Sequence, residues 1–366
     1  MKVKFTEVFS DETKRGHKIP SSEYLDSGKF PIIDQGQGQI AGYTDLESGV
    51  FTDVPAIIFG DHTRIVKYVD TPFFLGADGV KVLKSKISSV DYKYLFYCIQ
   101  NAKIPNTGYN RHFKWLKEIE IPLVPMDEQR HIAAVLDKVT DLIAKRQAQL
   151  DKLDELVKAR FVELFGDPVE NPFSYPKKKL SEYIEFLTSG SRGWSQYFSD
   201  EGEYFITIKN VKNCAITLNN MQHITAPNNA EALRTRVQES DLLISITADL
   251  GRTGVVTKEI AEHGAFINQH LTCIRLAKDK ILPLYAAYYL ESPAGKSQFA
   301  AKNQKGVKAG LNFNAINSLE IVIPPVDKQR SFISYVAAVN RLALSVMNGL
   351  QKLETLKRIL MQQYFG

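Results

Sequence analysis

The sequence predicts an α+β protein made of two globular segments, each followed by a long helix, with the two helices paired as a coiled coil. Three observations support this prediction. Part of the sequence is repeated at a constant offset, and the repeated part carries a proline-free apolar pattern of helical period. Each copy also follows a segment that mixes short strands with short helices.

Length and composition limit the class of protein to which this chain can belong. The 366 residues are enough for two or three domains. No apolar run approaches the ~18 residues that span a bilayer, and the N-terminus lacks the apolar core of a signal peptide, so we expect a cytoplasmic protein without membrane contact. Three distant cysteines and seven scattered histidines predict neither disulfides nor a metal site. The net charge of +5 comes without a basic block and does not by itself indicate nucleic-acid binding.

The repeat aligns residues 113–166 with residues 313–366 without a gap, at an offset of 200. Each copy reads as a short strand, a proline and a helix. The helices start at PMDEQR (125–130) and PVDKQR (325–330), where Asp127 and Asp327 are placed to cap them. Nearly forty residues without proline then lead to Phe-Gly in both copies, enough for a helix of about 55 Å.

Apolar residues follow a 3.5-residue period through both helices. Of nine positions counted from Leu136 or from Val336, seven and eight are apolar, which favours a coiled coil. An ordinary amphipathic helix packed on its own domain is the alternative. A second stripe beside the first is predicted to bind another protein, and it consists of Val135, Leu142, Leu156, Tyr335, Leu342 and Leu356.

The segments before the helices resemble each other only in outline. In both, an Asp-x-Gly segment enters a strand, an apolar run ends in a polar turn, a further strand and an aromatic helix follow, and a glycine-containing loop comes last. The matching pieces are DSGKFPI with DEGEYFI, PAIIFGDHTR with DLLISITADLGRTG, VKVL with TCIRL, YLFYCIQ with YAAYYLES, and NTGYNRHFKW with QKGVKAGLNFN. This order suggests two α+β or α/β domains.

These features together resemble the specificity (S) subunit of type I restriction–modification enzymes. The resemblance covers essentially the whole chain and rests on EIPLVPMDEQR, EIVIPPVDKQR, the Phe-Gly helix ends, SGSRGWSQYFSDEGEYF and GYNRHF. The family favours Glu before Gln in the helix-start motif, and Lys328 in the second copy is a mild departure.

The resemblance implies target recognition domain 1 at 1–126, spacer helix 1 at 127–166, target recognition domain 2 at 167–326 and spacer helix 2 at 327–366. It implies that each domain reads half of a bipartite double-stranded DNA site, and that the helices pair antiparallel as a spacer. It also implies docking of two methyltransferase (M) subunits, which would hold S-adenosylmethionine, while this chain binds DNA without catalysis. The sequence leaves open whether a restriction (R) subunit joins the complex.

Candidate DNA contacts are polar, aromatic and basic residues in glycine-containing loops. In the first domain they are Gln35, Gln37, Tyr43, His62, Thr63, Arg64, Tyr109, Asn110, Arg111, His112 and Lys114. In the second domain they are Ser189, Ser191, Arg192, Trp194, Lys209, Arg252, Gln269, Lys305 and Lys308. The alternatives are that such residues are merely solvated, that Trp194 and Tyr109 pack internally, and that 268–270 satisfies backbone groups inside its domain.

Catalytic motifs do not emerge from the sequence. SPAGKSQFA contains Gly-Lys-Ser, but a P-loop requires glycine where this chain has Leu290, and a strand before it. The chain contains no GxGxxG and no Asn/Asp-Pro-Pro-Tyr/Phe segment of an amino-methyltransferase. Two other functions stay open at this stage: a nuclease or methyltransferase with an unrecognised site, and a coiled-coil scaffold that binds proteins.

Overall fold

The computed structural model describes residues 1–76, 79–303 and 310–366. These residues divide into two compact units. Unit 1 comprises Met1–Gln149 and Val346–Gly366, and unit 2 comprises Leu150–Ser345. Both divisions fall inside long helices, so each unit contains one globular segment together with part of each helix.

Unit 1 contains nine named strands among its described residues. They are β1 (Lys2–Lys4), β2 (Phe9–Asp11), β3 (Phe30–Ile33), β4 (Gly42–Thr44), β5 (Ala56–Gly60), β6 (Val66–Val69), β7 (Phe74–Leu75), β8 (Val80–Ser85) and β9 (Glu120–Pro122). Its helices are α1 (Phe5–Val8), α2 (Tyr92–Gln100), α3 (Phe113–Leu116) and the start of α4 (Met126–Phe165).

The central sheet of unit 1 has the strand order β2-β8-β5-β6 and is antiparallel. Strand β5 is apolar and buried along its whole length, because both of its faces are covered. Ile57 and Phe59 point into a core with α2, whereas Ala56 and Ile58 point into a second core on the opposite face. A second sheet, β4-β3-β7, pairs β3 with β7 in parallel.

Unit 2 contains the remaining named elements. Its strands are β10 (Lys177–Lys179), β11 (Ile184–Ser189), β12 (Phe198–Ser199), β13 (Glu203–Ile206), β14 (Val211–Lys212), β15 (Ala215–Ile216), β16 (Gln222–Ile224), β17 (Leu242–Ser245), β18 (Thr253–Val255), β19 (Ala265–Ile267), β20 (Leu271–Leu276) and β21 (Glu320–Val322). Its helices are α5 (Ala230–Thr235), α6 (Lys258–His263), α7 (Pro283–Glu291), α8 (Pro293–Lys302), α9 (Phe313–Asn317) and the start of α10 (Val326–Phe365).

The two globular segments share one topology. The sheet β11-β20-β17-β18 repeats the order of β2-β8-β5-β6, and β13 pairs with β19 in parallel as β3 does with β7. Each segment also ties its first strand to its last, in the antiparallel pairs β1-β9 and β10-β21. The predicted α+β class is therefore confirmed, and four of the outline matches made from the sequence fall on equivalent elements: β3 with β13, β5 with β17, β8 with β20 and α2 with α7. Most of the fifth, QKGVKAGLNFN, lies outside the described residues.

The long helices α4 and α10 are each 40 residues long and start 200 positions apart, at Met126 and Val326. The capping prediction for Asp127 and Asp327 is wrong in detail, because both lie inside the first turn and not before it. There a carboxylate still interacts favourably with the positive end of the helix dipole. In each helix the carbonyl of the repeated proline, Pro125 or Pro325, accepts the first backbone hydrogen bond.

In unit 1, parts of the two helices run antiparallel. Met361 joins the core cluster that contains Ile132, Ala133 and Leu136. Further along, a Cβ built on Gly349 would lie 3.8 Å from the Nε of Arg146. As the residue number rises along α4 it therefore falls along α10, which defines antiparallel pairing.

Unit 2 shows the same arrangement with the other helix parts. Phe165 and Phe332 have ring centroids 5.6 Å apart, and the Arg160 guanidinium lies 5.6 Å from the Tyr335 ring centroid. Phe161 packs edge-on against Phe332 and face-on against Tyr285 of α7. The helix parts thus pair with each other and also pack on the globular segment of their unit, so both interpretations of the apolar pattern hold in part.

The two apolar stripes differ in burial. On the first stripe Leu136 and Val336 are at most 1% exposed. On the second stripe Val135 and Tyr335 are half-buried. The leucines of the second stripe are exposed, namely Leu142 (39%), Leu156 (49%), Leu342 (59%) and Leu356 (42%).

Replacement of Phe161 tests how far α4 contributes to the core of unit 2. Phe161→Ala removes a ring that is 5% exposed, and we expect a loss of about 3–5 kcal/mol in the free energy of unfolding. The neighbouring Val162, 47% exposed, provides the matched control, and Val162→Ala should change stability by about 0.5 kcal/mol or less. Urea unfolding followed by tryptophan fluorescence measures both, and equal losses would contradict the packing.

Candidate nucleic-acid interface

Three loops of unit 1 converge at one end of the central sheet. They are the loop after β3, the turn between β5 and β6, and the loop before α3. The backbone N–H of His62 donates to Gln35 Oε1 at 3.1 Å, and the Thr63 hydroxyl donates to the Gln35 carbonyl at 2.7 Å. The N–H of His112 donates to the Asp61 carbonyl at 2.7 Å, which joins the third loop to the turn.

Glycine is required where these loops touch. A Cβ on Gly60 would lie 2.3 Å from Thr63 Oγ1 and 2.9 Å from Gln35 Cβ. Gly79 has φ of +91°, and a Cβ there would lie 2.7 Å from both the Gln35 amide and the His62 ring. The close approach of the loops therefore depends on missing side chains at two positions.

An exposed aromatic stack lies on this surface. The rings of His62 and Tyr109 are parallel within 9°, with centroids 4.6 Å apart. Tyr109 is 86% exposed, so it is not an internal packing residue and its outer face is open to solvent. Aromatic faces of this kind can stack on nucleic-acid bases, and the contact with His62 holds the ring in one orientation.

A buried ion pair anchors the loop that carries Gln35 and Gln37. Lys67 in β6 has a side chain only 2% exposed, and its ammonium lies 3.2 Å from Asp34 Oδ1. The same Asp34 oxygen accepts the N–H of Gly36 at 2.8 Å. A buried ammonium without a partner would lower the free energy of unfolding, so this ion pair fixes the position of Asp34. The exposed Gln37 lies three residues further along the same loop.

The other predicted residues of unit 1 are placed differently. Arg111 and Lys114 are exposed, Asn110 bonds to Thr107 within its own loop, and Arg64 donates to the Ile104 carbonyl at 3.3 Å. His112 is fully buried with Nδ1 at 3.0 Å from the Asp61 carbonyl, so its prediction as a DNA contact is not supported by its position. Tyr43 lies in β4 opposite Pro31.

Unit 2 builds a corresponding surface around an arginine that the sequence reasoning missed. Arg234 of α5 bonds to the Thr188 hydroxyl, to the Ser189 carbonyl at 2.8 Å and to Ser191 Oγ at 2.9 Å. The only sequence signal was a short helix with Asn229 at its N-cap, in which a solvated arginine is unremarkable. Arg234 orders the predicted residues Ser189 and Ser191 and adds a positive charge beside them.

A second group in unit 2 matches the loop convergence of unit 1. The Thr247 hydroxyl lies 2.8 Å from His270 Nδ1, and Gln269 Nε2 lies 3.0 Å from His270 Nε2. The N–H of His270 also donates to Asn268 Oδ1 at 3.1 Å, which supports the alternative that 268–270 satisfies groups within its own domain. Thr247 pairs with Gly310, so the turn after β17 meets the loop before α9.

Trp194 is the clearest departure from the predicted contacts. It is 4% exposed and packs between Phe205 and Phe266, with ring centroids at 5.5 and 5.3 Å. Its place in the core argues against a DNA contact, and the internal-packing alternative explains its position. Large aromatic residues beside glycine-rich loops have the same sequence signature in either role.

The remaining predicted residues of unit 2 are exposed, half-buried or outside the described residues. Arg192 and Lys209 are exposed. Arg252 pairs with Asp249 and lines a cavity of about 450 Å³ that Lys212 and Lys296 also line. Lys305 and Lys308 lie outside the described residues, so their assignment stays a prediction.

The structure also bears on catalysis. Within residues 1–76, 79–303 and 310–366, no group of three or more His, Cys, Asp or Glu side chains is arranged to hold a metal ion. In the same part of the chain, no helix is both long and apolar enough to cross a bilayer. All three cysteines are buried, and burial raises the pKa of the Cys98 thiol to about 12 and the pKa of the Cys214 and Cys273 thiols as well.

Comparison with known proteins decides the family. The model of the type I restriction modification DNA specificity domain matches residues 1–154 and 177–357, which is most of the chain and includes both globular segments. The chain belongs to the type I DNA specificity family. It is a specificity subunit of a type I restriction–modification system, as the resemblance implied.

Relatives within this family match over most of their length. The specificity subunit of the type I restriction enzymes EcoR124I and EcoR124II from Escherichia coli is 22% identical over 378 residues, covering 94% of this chain and 88% of that protein. The EcoKI specificity subunit from E. coli strain K12 is 23% identical over 267 residues, covering 68% of this chain and 57% of that protein.

Solved structures share the fold of the specificity subunit. The type I S subunit from M. genitalium superposes with a TM-score of 0.62 at 17% identity, covering 100% of this chain and 96% of that chain. A chain from a structure described for complex assembly and conformational transition of a type I restriction–modification system gives a TM-score of 0.55 at 19% identity, covering 99% and 95%. At these identities the comparison supports the fold alone.

The cysteines give a direct test of the described cores. Because thiolate is the reactive form and burial raises each thiol pKa, we expect the native protein to react with a disulfide reagent such as DTNB at pH 8 negligibly within minutes. In guanidinium chloride all three thiols should titrate at once. One equivalent of rapid reaction in the native protein would show that a thiol is accessible and would contradict the burial of Cys98, Cys214 or Cys273.

Proposed function

We propose that this specificity subunit is the non-catalytic DNA-recognition component of its complex, with domain 1 (1–126) and domain 2 (167–326) each reading one half of a bipartite double-stranded site. The observation that carries the proposal is the shared topology of the two globular segments combined with different loop chemistry. The same strand order presents Gln35, His62 and Tyr109 in unit 1 and Ser191, Arg192 and Arg234 in unit 2.

Different loop chemistry on one scaffold suits two different half-sites. Gln can bond the N6 and N7 edge of adenine, Arg can bond the O6 and N7 edge of guanine, and exposed cations can bind phosphates. Two modest affinities in one chain also combine to a higher overall affinity. When one recognition domain binds its half-site, the effective concentration of the other domain at its own half-site rises. DNA specificity therefore does not require a strongly basic chain.

The long helices supply the second part of the proposal. We assign the helical segments 127–166 and 327–366 to setting the spacing between the half-sites and to docking methyltransferase (M) subunits. The exposed leucines of the second stripe support docking, since each leaves a large apolar side chain in water on the surface of a long helix. The repeat offers this stripe twice, which favours two M subunits, and a restriction (R) subunit would join such a complex as a further partner.

Methyl transfer is assigned to the M subunits, which would hold S-adenosylmethionine. This chain contributes sequence recognition.

Methylation mapping tests the proposed function. With the cognate M subunit and S-adenosylmethionine, the wild-type complex should methylate adenine at one bipartite sequence, and the isolated chain should methylate nothing. Arg111→Ala and Arg192→Ala remove exposed loop cations in units 1 and 2, and each should relax base preference at one half-site only, by about 1–3 kcal/mol per contacted base pair.

The control for these variants is Lys158→Ala, which removes an exposed charge from α4 without changing a loop. It should leave both half-site sequences unchanged. Methyl transfer or cleavage by the isolated chain would favour a catalytic subunit, and loop variants without effect on DNA recognition would favour a protein-binding scaffold. Either result would replace the present proposal.

A binding measurement tests the docking stripe separately. Leu342→Asp and Leu356→Asp place a charge on leucines that are 59% and 42% exposed, so the melting temperature should change little. Affinity for the M subunit should fall by about tenfold or more, corresponding to at least ~1.4 kcal/mol at an interface. Gln351→Asp, an exposed polar position on the same helix, is the control and should retain affinity in isothermal titration calorimetry.

A further inference from the structure

Two repeated glutamines are buried and make the same contacts in both units. Gln129 is 4% exposed and Gln329 is 0% exposed. Gln129 Nε2 donates to the Val124 carbonyl at 2.8 Å, and its Oε1 accepts the N–H of Asp91 at 3.0 Å. Asp91 is the N-cap residue of α2. The glutamine therefore joins the start of the long helix to the start of the aromatic helix.

The second copy reproduces each of these bonds. Gln329 Nε2 donates to the Pro324 carbonyl at 2.9 Å, and its Oε1 accepts the N–H of Leu282 at 2.8 Å. Leu282 is the N-cap residue of α7, the counterpart of α2. Gln329 Nε2 also donates to the Lys280 carbonyl at 3.1 Å. Both copies keep the same donor and acceptor groups although the globular segments around them differ, which indicates a constraint on the glutamine itself.

A buried tyrosine adds a second point of attachment in each unit. The Tyr94 hydroxyl donates to the Pro122 carbonyl at 2.6 Å, and the Tyr285 hydroxyl donates to the Val322 carbonyl at 2.9 Å. Each tyrosine is the third residue after its N-cap, and each acceptor lies in the strand that leads into the long helix. Burial raises the pKa of both phenols, so each keeps the proton that it donates.

The ends of the long helices complete the arrangement. In unit 1 the ring of Phe365 lies 5.4 Å from that of Tyr94, and in unit 2 the ring of Phe165 lies 4.8 Å from that of Tyr285. The following glycine donates its N–H to the carbonyl four residues earlier in both copies. Each tyrosine therefore contacts the end of one long helix and the strand that leads into the other.

We call Tyr94, Gln129 and Phe365 clamp 1, and Tyr285, Gln329 and Phe165 clamp 2. The glutamines and phenylalanines keep the offset of 200 residues, whereas the tyrosines are 191 residues apart (285 − 94). The stretch from the tyrosine to the glutamine is therefore nine residues longer in unit 2 than in unit 1, yet each segment presents its tyrosine to the same partners. Apolar packing alone would tolerate small rotations, but buried polar groups lose their bonds when the geometry changes.

We propose that the clamps are positioning devices, in which Gln129 and Gln329 fix the angle between each recognition domain and the long-helix segments of its own unit. This inference rests on the proposed function, in which the helices set the spacing of the half-sites. A fixed angle at both clamps then restricts the complex to one number of base pairs between the half-sites. The clamp residues neither contact bases nor take part in methyl transfer.

The experiment measures how strictly the spacing is read. Complexes with the M subunit are given DNA substrates that carry both half-sites with spacers varied in steps of one base pair, and adenine methylation is quantified. The wild-type complex should prefer one spacer. Gln129→Met and Gln329→Met keep the side-chain volume but remove the bonds, and each should reduce the preference over spacers one base pair longer or shorter by about tenfold. The preferred bases within the half-sites should stay the same.

The controls separate positioning from folding. Tyr94→Phe and Tyr285→Phe remove only a hydroxyl, so they provide a milder test and should relax the spacer preference in the same direction. Arg130→Ala and Arg330→Ala alter the next, exposed residue of each repeat and should keep the wild-type spacer profile. Melting temperatures of all variants identify any loss of the folded state.

The possible outcomes are distinct. If the Met and Phe variants keep the wild-type spacer profile, or lose methylation equally at every spacer, the clamps have no positioning role and the inference is overturned. If the wild-type complex methylates no bipartite site at all, the proposed function fails first and the role of the clamps fails with it. A broadened spacer profile with unchanged half-site sequences supports both.

Discussion

The structure depends on covering one apolar stripe along each of two 40-residue helices. Such helices gain little from intrinsic propensity and derive most of their stability from packing. Each unit covers the first stripe of its helix segments by antiparallel pairing and by a globular core, as Met361 beside Ile132 and Leu136 shows in unit 1. Both copies of the repeat therefore supply residues to this packing.

This constraint explains which parts of the chain are alike and which differ. Positions that touch the long helices recur in both units: the buried glutamine, the tyrosine of the aromatic helix and the terminal phenylalanine. The loops at the sheet end are free of that requirement. One holds a His62–Tyr109 stack and the other an arginine bonded to serines, so loop chemistry can vary while the domain framework stays constant.

An ion pair in unit 1 and arginine hydrogen bonds in unit 2 nevertheless fix the positions of these loops. Lys67 and Asp34 form an ion pair at the base of the Gln35 loop, and Arg234 donates to the Thr188 hydroxyl, the Ser189 carbonyl and the Ser191 hydroxyl. Anchoring of this kind lowers the entropy that a loop loses on binding, so under the proposed function few base contacts would be needed for discrimination. A specificity subunit with a net charge of only +5 is consistent with recognition by placed side chains more than by a general positive field.

The sequence by itself determined the α+β class, the two long helices to within one residue of their starts, and the equivalence of β5 with β17 and of α2 with α7. Period and repetition are local properties of the chain, so they can be read without a structure. Only the tertiary structure decided which polar and aromatic residues of the loops are exposed to solvent and which are buried. Trp194 and His112 are buried, Tyr109 is exposed, and Arg234, far from the serines in sequence, orders their loop. Burial and bonding of a loop side chain depend on neighbours that are distant in sequence, and no local pattern records them.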